Sequence, residues 1–537
     1  MSFFLGFLLL VSAVLRGFNL PVTPPELFGD EIDVGFQAVS LFKTGKDINN
    51  QPLPVYIHSL SEWRAPLLIY ATVPTVALFG NTIPGVRLPE VVFGSIAPVL
   101  LYLLVIKLTG SKKLSAVSAL FLAFSPWHIH YSRAGFEVVL LLDLVMAGTL
   151  LFIKKSRLWP VFFALSVYTY STAVLFIPAW TILLHFIFRT RPKVSSLGVL
   201  TLLLVPFIIS LFFGKAGERF GTLSLFSNPD VVASVLAFRG ESALPGENLL
   251  HNRPETLFRY ISASYLNAFS ADFLFVRGDP TMRHSWQVIG QQLPLTAPLL
   301  LAGLAVALYR KKWFWISWLA LAPIPAALTS DGGYHATRLF LLLPPISFLT
   351  GLGFVWILSL FTPRLSKIVA GIAILLIGGQ FIWAYHYYQV HYPVRSWRWW
   401  QTGFRQVLSS PALFDPQYSR VFINNTYEPS LIRFLFYSSY SPEKFHRNFT
   451  LDQPQAGIVP NYDGFSLDGR FFFGTFTKEA HERLADFLMP NSLYVLSQRD
   501  DLPGNWDWRT SAPPGIKVHA VSTDPYDNPI LYLVSKE

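Results

Sequence analysis

The chain has 537 residues, of which 52% are hydrophobic and 14% are charged. Because soluble proteins carry about 25% charged residues, this composition excludes an ordinary soluble protein and indicates a chain that crosses a bilayer many times. The formal net charge is +10, but the basic residues lie in short clusters between apolar runs, so we predict no nucleic-acid partner. The absence of cysteine excludes disulfides, thiol catalysis and cysteine-held metals.

Apolar runs that are long enough to span a bilayer recur along the chain. They lie at 3–20, 87–106, 114–131, 136–153, 158–173, 174–188, 196–213, 294–309, 313–329, 338–360 and 367–385. The short basic clusters between them all face the cytoplasm only if eleven helices cross and the N-terminus is inside. The loops 21–86 and 214–293 and the segment 386–537 then lie outside. A shorter apolar stretch at 66–79 contains two prolines and is predicted to be an interfacial helix. The first run lacks a basic leader and a cleavage motif, which favours an uncleaved helix over a signal peptide.

After residue 385, polar residues and prolines return between short apolar runs. Strands are predicted at 419–424, 493–497 and 529–534, and a helix at 429–437. The predicted fold class is therefore an all-α polytopic membrane domain at 1–385, joined to an extracytoplasmic α/β domain at 386–537. The sequence contains no nucleotide-binding signature, so energy from ATP is not implied.

The densest polar chemistry follows the first predicted helix, in the segment PPELFGDEID at 24–33. Its last four positions hold the carboxylates of Asp30, Glu31 and Asp33, which is unusual in a chain so poor in charge. One interpretation is structural: Asp30 caps a helix that runs from about 31 to 43. The other is catalytic: a carboxylate held at a membrane surface acts as a general base towards an acceptor hydroxyl or amine.

Four motifs follow one another in a fixed order. They are Arg16…Pro24-Pro25…Phe28-Gly29-Asp30-Glu31, then Arg64-Ala65-Pro66-Leu67, then Val86-Arg87-Leu88-Pro89…Phe93-Gly94, and finally Ser125-Pro126-Trp127…Tyr131-Ser132-Arg133…Glu137. Together they resemble the GT-C polytopic glycosyltransferases, particularly the protein O-mannosyltransferase and aminoarabinose-transferase families. The resemblance covers the layout of residues 1–360, and its sharp motifs lie in 1–137.

The resemblance implies an enzyme that transfers a sugar from a polyprenyl-phosphate-linked donor to an acceptor outside the cytoplasm. It assigns the base, or the group that orients the acceptor, to Asp30, with Glu31 in support. Arg64 is expected to hold the lipid phosphate, where relatives more often have lysine; arginine keeps the charge and grips phosphate in a bidentate manner. A single displacement inverts the anomeric carbon.

Further site residues are predicted in the outer turns. Arg338 and Tyr334 are expected to contact the lipid phosphate, although a tight Gly-Gly turn with Arg338 at a helix end is the structural alternative. The predicted sugar and acceptor pocket consists of Glu137, Tyr168, Tyr170 and His335. Glu137 departs in spacing from the aspartate of many relatives, and interfacial packing is an equally good account of the two tyrosines.

Metal and anchor signals are weaker. His128 and His130 lack a third ligand nearby in sequence, so we predict no metal site and no cofactor, while the resemblance leaves a divalent cation open. Asp143 lies within a predicted span and requires either a structural partner or a substrate role. The cluster of arginine and tryptophan at 395–400 is predicted to anchor the chain in the headgroup layer.

The sequence therefore predicts a multi-pass enzyme of a prokaryotic plasma membrane, whose partners are membrane lipids, a lipid-linked donor and a glycan, lipid or protein acceptor. Two alternatives stay open. A flippase or transporter would move the lipid-linked sugar without chemistry, although no inverted repeat is apparent. A glycan polymerase or ligase would use a longer lipid-linked oligosaccharide.

Overall fold

The computed structural model describes residues 2–59, 63–214, 221, 224–241, 246–425, 429–449, 455–456, 462–477, 484–499, 501–502 and 507–536. The chain divides into two compact units. The first unit comprises Met1–Leu20, Trp63–Leu68 and Arg87–Tyr392, and the second comprises Pro21–Glu62, Ile69–Val86 and Pro393–Glu537. The stretch 21–86, which the sequence analysis placed with residues 1–385, therefore lies mostly in the second unit.

The structure is mostly helical. In chain order the helices are α1 (Ser2–Gly17), α2 (Gly29–Thr44), α3 (Leu67–Phe79), α4 (Ile83–Thr109), α5 (Lys112–Ala123), α6 (Pro126–Tyr131), α7 (Val138–Ile153), α8 (Trp159–Val167), α9 (Thr172–Ile187), α10 (Val194–Phe213), α11 (Pro229–Glu241), α12 (Glu247–Leu250), α13 (Arg253–Asn267), α14 (Ala297–Tyr309), α15 (Trp313–Leu321), α16 (Ile324–Ala327), α17 (Leu343–Ser359), α18 (Pro363–Val390), α19 (Tyr392–Ser396), α20 (Phe404–Leu408), α21 (Ser430–Tyr437), α22 (Pro442–Asn448), α23 (Leu484–Phe487) and α24 (Trp508–Ser511). The strands are β1 (Ile57–His58), β2 (Trp63–Arg64), β3 (Arg420–Asn424), β4 (Gln455–Ala456), β5 (Tyr462–Leu467), β6 (Phe471–Phe476), β7 (Ser492–Ser497), β8 (Ile516–Thr523) and β9 (Pro529–Lys536).

Several helices begin where the sequence supplies a cap. The side chains of Ser111, Ser125, Asn252 and Ser441 each accept a hydrogen bond from a backbone N–H in the first turn of α5, α6, α13 and α22. These N–H groups have no carbonyl partner inside the helix, so the cap satisfies them and fixes the start of the helix.

Four helical segments within the described residues are long and apolar enough to cross a membrane: α4, α10, Phe340–Ser359 and α18. Shorter apolar helices include α1, α3, α7 and α9. The chain is therefore an integral membrane protein. Each apolar run predicted from the sequence contains a helix, and the stretch 66–79 contains α3. The predicted count of eleven membrane crossings and the predicted orientation of the helices remain predictions.

Close backbone contacts hold the first unit together. A Cβ atom added to Gly303 of α14 would lie 1.8 Å from the carbonyl oxygen of Leu349 on α17, and one added to Gly353 would lie 1.9 Å from that of Leu299. A Cβ on Gly351 would meet Ser118 of α5 at 2.6 Å. Small residues thus allow α14, α17 and α5 to pack at van der Waals distance where lipid offers no hydrophobic drive for association.

Seven strands among the described residues of the second unit form one sheet in the order β4-β5-β6-β3-β7-β9-β8. The central strand β3 pairs in parallel with β6 and β7, whereas β9 pairs antiparallel with β7 and β8. Alternate residues of β3 enter different cores: Val421 and Ile423 join one hydrophobic cluster, and Phe422 joins the other. The strands predicted at 419–424, 493–497 and 529–534 and the helix at 429–437 are confirmed as β3, β7, β9 and α21.

The first of these cores contains α2. Ile32 and Phe36 of α2 pack with residues of α21 and with the buried face of β3 and β6. Gly35 permits this approach, because a Cβ at that position would lie 2.6 Å from the ring of Phe436 and 2.8 Å from Val86. The helix that carries Asp30 is therefore seated on the core of the second unit.

Candidate active site

Arg64 and Glu137 of the first unit form an ion pair. Arg64 ends the short strand β2, and the next backbone segment is held by a hydrogen bond from the Leu67 N–H to the Tyr168 carbonyl (3.1 Å). Glu137 directly precedes α7, where the positive end of the helix dipole favours a carboxylate. The Arg64 Nη1 and Glu137 Oε1 atoms are 3.7 Å apart, and the side chains are 5% and 13% exposed. Two residues predicted from separate motifs are thus brought together.

Two other motif arginines fasten the end of α1. Arg133 donates from Nη1 to the carbonyl oxygens of Leu15 (3.2 Å) and Arg16 (2.9 Å), which lie in the last turn of α1 and lack helical partners. Arg16 donates to the Ser12 and Ala123 carbonyls and to Nδ1 of His128 (2.6 Å). These contacts give both arginines a positioning role.

The two histidines considered for a metal are engaged in contacts within the protein. His128 accepts from Arg16 at Nδ1 (2.6 Å), and His130 donates from Nε2 to the Arg283 carbonyl (2.8 Å). The other ring nitrogen of His130 lies 3.1 Å from the Tyr388 hydroxyl. Across the part of the chain that the structure describes, no group of three or more His, Asp or Glu side chains is arranged to hold a metal ion.

A second polar cluster forms where the segment 279–284 meets the segment 331–338. Asp279 accepts from the Ala336 N–H (2.9 Å) through Oδ2 and from the Thr281 N–H (2.9 Å) through Oδ1. The Tyr131 hydroxyl bridges Nδ1 of His284 (2.9 Å) and the Thr337 hydroxyl (2.8 Å). Burial raises the pKa of Asp279. Burial also lowers the pKa of His284 well below its usual range, and nearby His335, Arg283, His130 and Arg338 act in the same direction.

Sequence reasoning missed Asp279 and His284. Both lie in the predicted outer loop 214–293. The signal that was available is the turn sequence Gly278-Asp279-Pro280 followed closely by Arg283-His284, a concentration of polar groups just before the apolar run at 294–309.

Three predicted residues of the segment 331–338 surround this cluster. Arg338 is buried and donates to the Thr329 hydroxyl (2.5 Å) and to the Asp331 carboxylate. Asp331 itself is 62% exposed, whereas Arg338 is 7% exposed, so an anion that replaces Asp331 would have to keep the buried guanidinium compensated. The ring of His335 lies 5.0 Å from that of His284. Tyr334 packs near Phe273, with ring centroids 6.4 Å apart.

Tyr168 and Tyr170 are placed differently from each other. The Tyr168 hydroxyl donates to the Leu203 carbonyl (2.7 Å) and accepts from the Phe207 N–H (3.2 Å). It thereby inserts into the hydrogen-bond ladder of α10 beside Pro206, where proline already interrupts the helix. Tyr170 is 7% exposed.

Asp30 and Glu31 lie in the first turn of α2, in the second unit. Glu31 is buried, and its Oε2 accepts a hydrogen bond from the Phe28 N–H (3.3 Å), so Glu31 satisfies the start of the helix. The structural interpretation of Asp30 as the cap is therefore wrong, because α2 begins earlier than predicted, at Gly29. Asp30 is exposed and directly precedes Glu31 in the first turn of α2, near the positive end of the helix dipole.

Glu26 ties the segment before α2 to the C-terminal part of the second unit. Its Oε2 accepts from the Gly403 N–H (2.8 Å), and its Oε1 accepts from the Arg405 N–H (2.9 Å). Burial raises the pKa of Glu26, and these two hydrogen bonds oppose the shift. The Gln401 side chain adds a further link by accepting from the Gly29 N–H (3.3 Å).

Residues 64–213 match the family model of dolichyl-phosphate-mannose-protein mannosyltransferase. The matched stretch begins at Arg64 and contains Glu137, Tyr168 and Tyr170. The resemblance to the GT-C glycosyltransferases is confirmed. No protein with a curated function matches the sequence.

The fold is similar to that of a solved structure of ArnT. The crystal structure of ArnT from Cupriavidus metallidurans bound to undecaprenyl phosphate is similar over 99% of this chain and 97% of that chain, with 11% identity and a TM-score of 0.52. The apo oligosaccharyltransferase of Archaeoglobus fulgidus is similar over 81% of this chain and 63% of that chain, with 12% identity and a TM-score of 0.48. AglB from the same organism, in complex with an inhibitory peptide and a dolichol-phosphate, covers the same shares with 13% identity and a TM-score of 0.48.

Proposed function

We propose that this protein is an inverting glycosyltransferase of the plasma membrane, which moves a sugar from a polyprenyl-phosphate-linked donor to an acceptor outside the cytoplasm. The observation that carries the proposal is the pair of buried Arg64 and largely buried Glu137 within the stretch that matches the mannosyltransferase family model. Keeping a charged pair mostly out of water in a chain with 14% charged residues is costly, and such residues in membrane proteins are most often functional.

Arg64 is proposed to bind the donor phosphate. A polyprenyl phosphate leaves with a growing negative charge, and a guanidinium stabilises that charge through paired hydrogen bonds. Arg338 supplies a second cation once the exposed Asp331 is displaced by the stronger acceptor. The similar ArnT structure was solved with undecaprenyl phosphate bound, a lipid of the class proposed here.

Asp30 is proposed as the base. The acceptor oxygen or nitrogen attacks the anomeric carbon of the sugar, and the bond from that carbon to the phosphate oxygen breaks. The phosphate keeps the electron pair of the broken bond, while Asp30 takes the proton from the acceptor. Glu31 supports this role by fixing the turn that carries Asp30, and Glu137, Tyr170, Tyr334 and His335 are proposed to contact the sugar or the acceptor. Tyr168 belongs to the same proposed pocket, although its hydroxyl forms hydrogen bonds with the backbone of α10.

The test is transfer of radiolabelled sugar by purified protein in liposomes, from a panel of polyprenyl-phosphate monosaccharides. Asp30→Asn keeps the size of the side chain and removes the base, so we expect donor binding without transfer. Asp230→Asn is the matched control, because Asp230 is also exposed in the first turn of a helix.

Normal turnover by Asp30→Asn would overturn the assignment of the base. Label that crosses the bilayer still attached to its lipid, equally in both variants and the wild type, would replace the enzyme with a flippase. Transfer only from donors with longer glycans would indicate a polymerase or ligase. Activity that requires an added divalent cation would introduce a cofactor that the residues alone do not predict.

A further inference from the structure

The second unit contains a cavity of about 760 Å³. Three segments line it: the stretch around Trp397 to Phe404, the end of β7 with Asp507, and the turn between β8 and β9. Its described lining residues are Trp397, Arg398, Gln401, Thr402, Phe404, Gln498, Arg499, Asp507, Asp524, Asn528, Pro529 and Ile530. Small-molecule sites generally have volumes of about 300–1,000 Å³, so the cavity has the size of a ligand site.

Local hydrogen bonds shape the walls of this cavity in advance. Asp524 Oδ1 accepts from the backbone N–H groups of Tyr526 (2.8 Å) and Asn528 (2.9 Å), which fixes the β8–β9 turn. On another wall, Asp507 accepts from the Arg509 N–H (2.9 Å) and from the Tyr532 hydroxyl (3.2 Å). Because these groups are already ordered, a ligand does not have to bear the entropy of arranging them.

Two features close to each other in the chain shape the cavity: the Trp397 indole and a bend at Gly403. Trp397 is partly buried and packs against the first hydrophobic core, so its ring is held in place. The chain bends at Gly403, whose φ of 117° is unfavourable for other residues, and the Gly403 N–H is held by Glu26. A Cβ on Gly403 would meet the Ser522 hydroxyl at 3.1 Å, so the close packing there also requires glycine.

The side chains that line the cavity match the two faces of a sugar. A pyranose ring presents C–H groups on one face, which pack on an aromatic ring, and hydroxyl groups at its edge, which pair with planar polar side chains. Trp397 supplies the aromatic ring. The Arg398 guanidinium stacks over that ring, 5.1 Å from its centroid, so a sugar would pack on the indole beside this exposed and movable side chain or in its place.

Three amides, those of Gln401, Gln498 and Asn528, also line the cavity. The Gln401 Oε1 accepts from Gly29, and Asn528 Nδ2 donates to Asp524. The Gln401 Nε2 donor and the Asn528 Oδ1 acceptor are therefore the groups that a sugar hydroxyl would use.

The charge of the lining argues against an anionic or a lipid ligand. The described lining residues include the two arginines Arg398 and Arg499 and the two aspartates Asp507 and Asp524. Asp507 is already paired with Arg509, whose Nη2 lies 2.8 Å from Asp507 Oδ2. A phosphate group would still meet the Asp524 carboxylate, and an alkyl chain would strip water from charged groups, which is unfavourable. A neutral, polyhydroxylated ligand suits this lining best.

We infer that this cavity binds a neutral saccharide, and that this saccharide belongs to the acceptor of the transfer reaction. The second half of the inference rests on the proposed glycosyltransferase function, whereas the first half does not. The sequence leaves a glycan, a lipid or a protein as possible acceptors. A saccharide-binding cavity favours an acceptor that already carries sugar.

Binding is measured with the full-length protein in detergent, by saturation-transfer NMR and calorimetry. The probes are maltotriose, mannotriose and triacetylchitotriose, with glucose 6-phosphate as the anionic comparison. We expect at least one neutral trisaccharide to bind, and Trp397→Ala to weaken that binding by at least tenfold. Because Trp397 also packs on the core, Arg398→Ala at an exposed side chain is the second variant and is expected to weaken binding in the same direction.

The matched control is Trp399→Ala, since Trp399 is exposed and is not among the described residues that line the cavity. Saccharide binding that is lost equally in Trp399→Ala, or that is absent for all three neutral probes, would overturn the inference. Preference for glucose 6-phosphate would do the same.

Transfer assays separate this inference from the proposed function. With a glycan acceptor, Trp397→Ala is expected to raise KM for the acceptor and leave kcat unchanged. Trisaccharide binding that depends on Trp397, in a protein that transfers no sugar, would remove the proposed function and keep the binding site. Transfer to a glycan with the same KM in Trp397→Ala and wild type would remove the acceptor role of the cavity and leave the transferase intact.

Discussion

The ion pair between Arg64 and Glu137 bears on two requirements: compensation of a buried charge and binding of the donor phosphate. A buried guanidinium is costly without partners that compensate its charge, and here Glu137 lies 3.7 Å from it. A donor phosphate would supply a second anion to the same arginine. Arg64 is thus paired before the substrate arrives, and a guanidinium carries five N–H groups, so one arginine can contact two anions at once.

We expect Arg64→Lys to keep part of the transfer activity and Arg64→Met to lose donor binding. A hydrogen bond to a charged group contributes about 1.5–3 kcal/mol, which corresponds to roughly ten- to hundred-fold in donor affinity. The measurement is KM for the donor in the liposome assay. Arg277→Met is the control, since Arg277 forms an exposed ion pair with Asp272. Equal donor KM values in Arg64→Met and wild type would remove Arg64 from the phosphate site.

His284 makes the stability of the first unit depend on pH. Its folded pKa lies below the ordinary value of 6.5 because burial disfavours the charged ring. The stabilising contribution of neutral His284 is therefore present above pH 6.5 and is lost as pH falls towards the folded value. We expect the Tm of the wild type to fall between about pH 7.5 and about pH 5.

His284→Asn is the informative variant, because an asparagine oxygen replaces Nδ1 as the partner of the Tyr131 hydroxyl without titrating. The fall in Tm on acidification is expected to be smaller in this variant than in the wild type. His251→Asn, outside this cluster, serves as control. Identical pH profiles for His284→Asn and wild type would show that His284 does not contribute to the pH dependence.

At the scale of elements, glycine sets how closely α14 and α17 pack. Gly303→Ala would place a methyl group 1.8 Å from the Leu349 carbonyl oxygen, which is backbone and cannot rotate away. The two helices must separate, and overpacking of this kind costs about 1–3 kcal/mol or more. Thermal unfolding in detergent measures the loss. Gly371→Ala in α18 is the control, because a Cβ there meets no described atom within 4 Å, and we expect its Tm to be unchanged or raised.

Elements with a clear local signal could be predicted from the sequence, and those without one could not. Strand β3 is a short apolar run between polar residues, and α21 carries its apolar residues at helical spacing. Strand β6, FFFGTF, is likewise buried on both faces at its start, but Gly474 interrupts its apolar run. The site followed the same rule: Arg64 and Glu137 lie in recognisable motifs, whereas Asp279 matters only because the fold brings Ala336 to it.

At the scale of the whole molecule, the predicted topology can be tested by introducing single cysteines. Because the sequence contains no cysteine, the protein itself gives no background labelling. We expect a membrane-impermeant maleimide to label Gln51→Cys and Lys444→Cys in intact cells, because both positions are predicted to lie outside. Lys193→Cys is expected to react only after the cells are permeabilised. Labelling of Lys193→Cys and Lys444→Cys on the same side would contradict the eleven-helix arrangement.

Which segments of the chain form the second unit could not be predicted from the sequence. Nothing local to residues 21–86 indicates that α2 belongs with the last part of the chain. The link depends on Gly35 meeting Phe436 and on Glu26 meeting the N–H groups of Gly403 and Arg405. Such contacts join residues that are far apart in sequence, and local periodicity carries no information about them.

The discontinuous second unit also sets an order of events during synthesis. Helix α2 leaves the ribosome early, but the core that receives Ile32 and Phe36 is completed only by strands from the end of the chain. The turn that bears Asp30 therefore lacks its core until all the helices between α2 and the last strands have been synthesised and inserted. Pairing over so long a sequence separation is intrinsically slow. A chain that ends before residue 393 contains the membrane helices but lacks the core that holds α2, so we expect it to transfer no sugar.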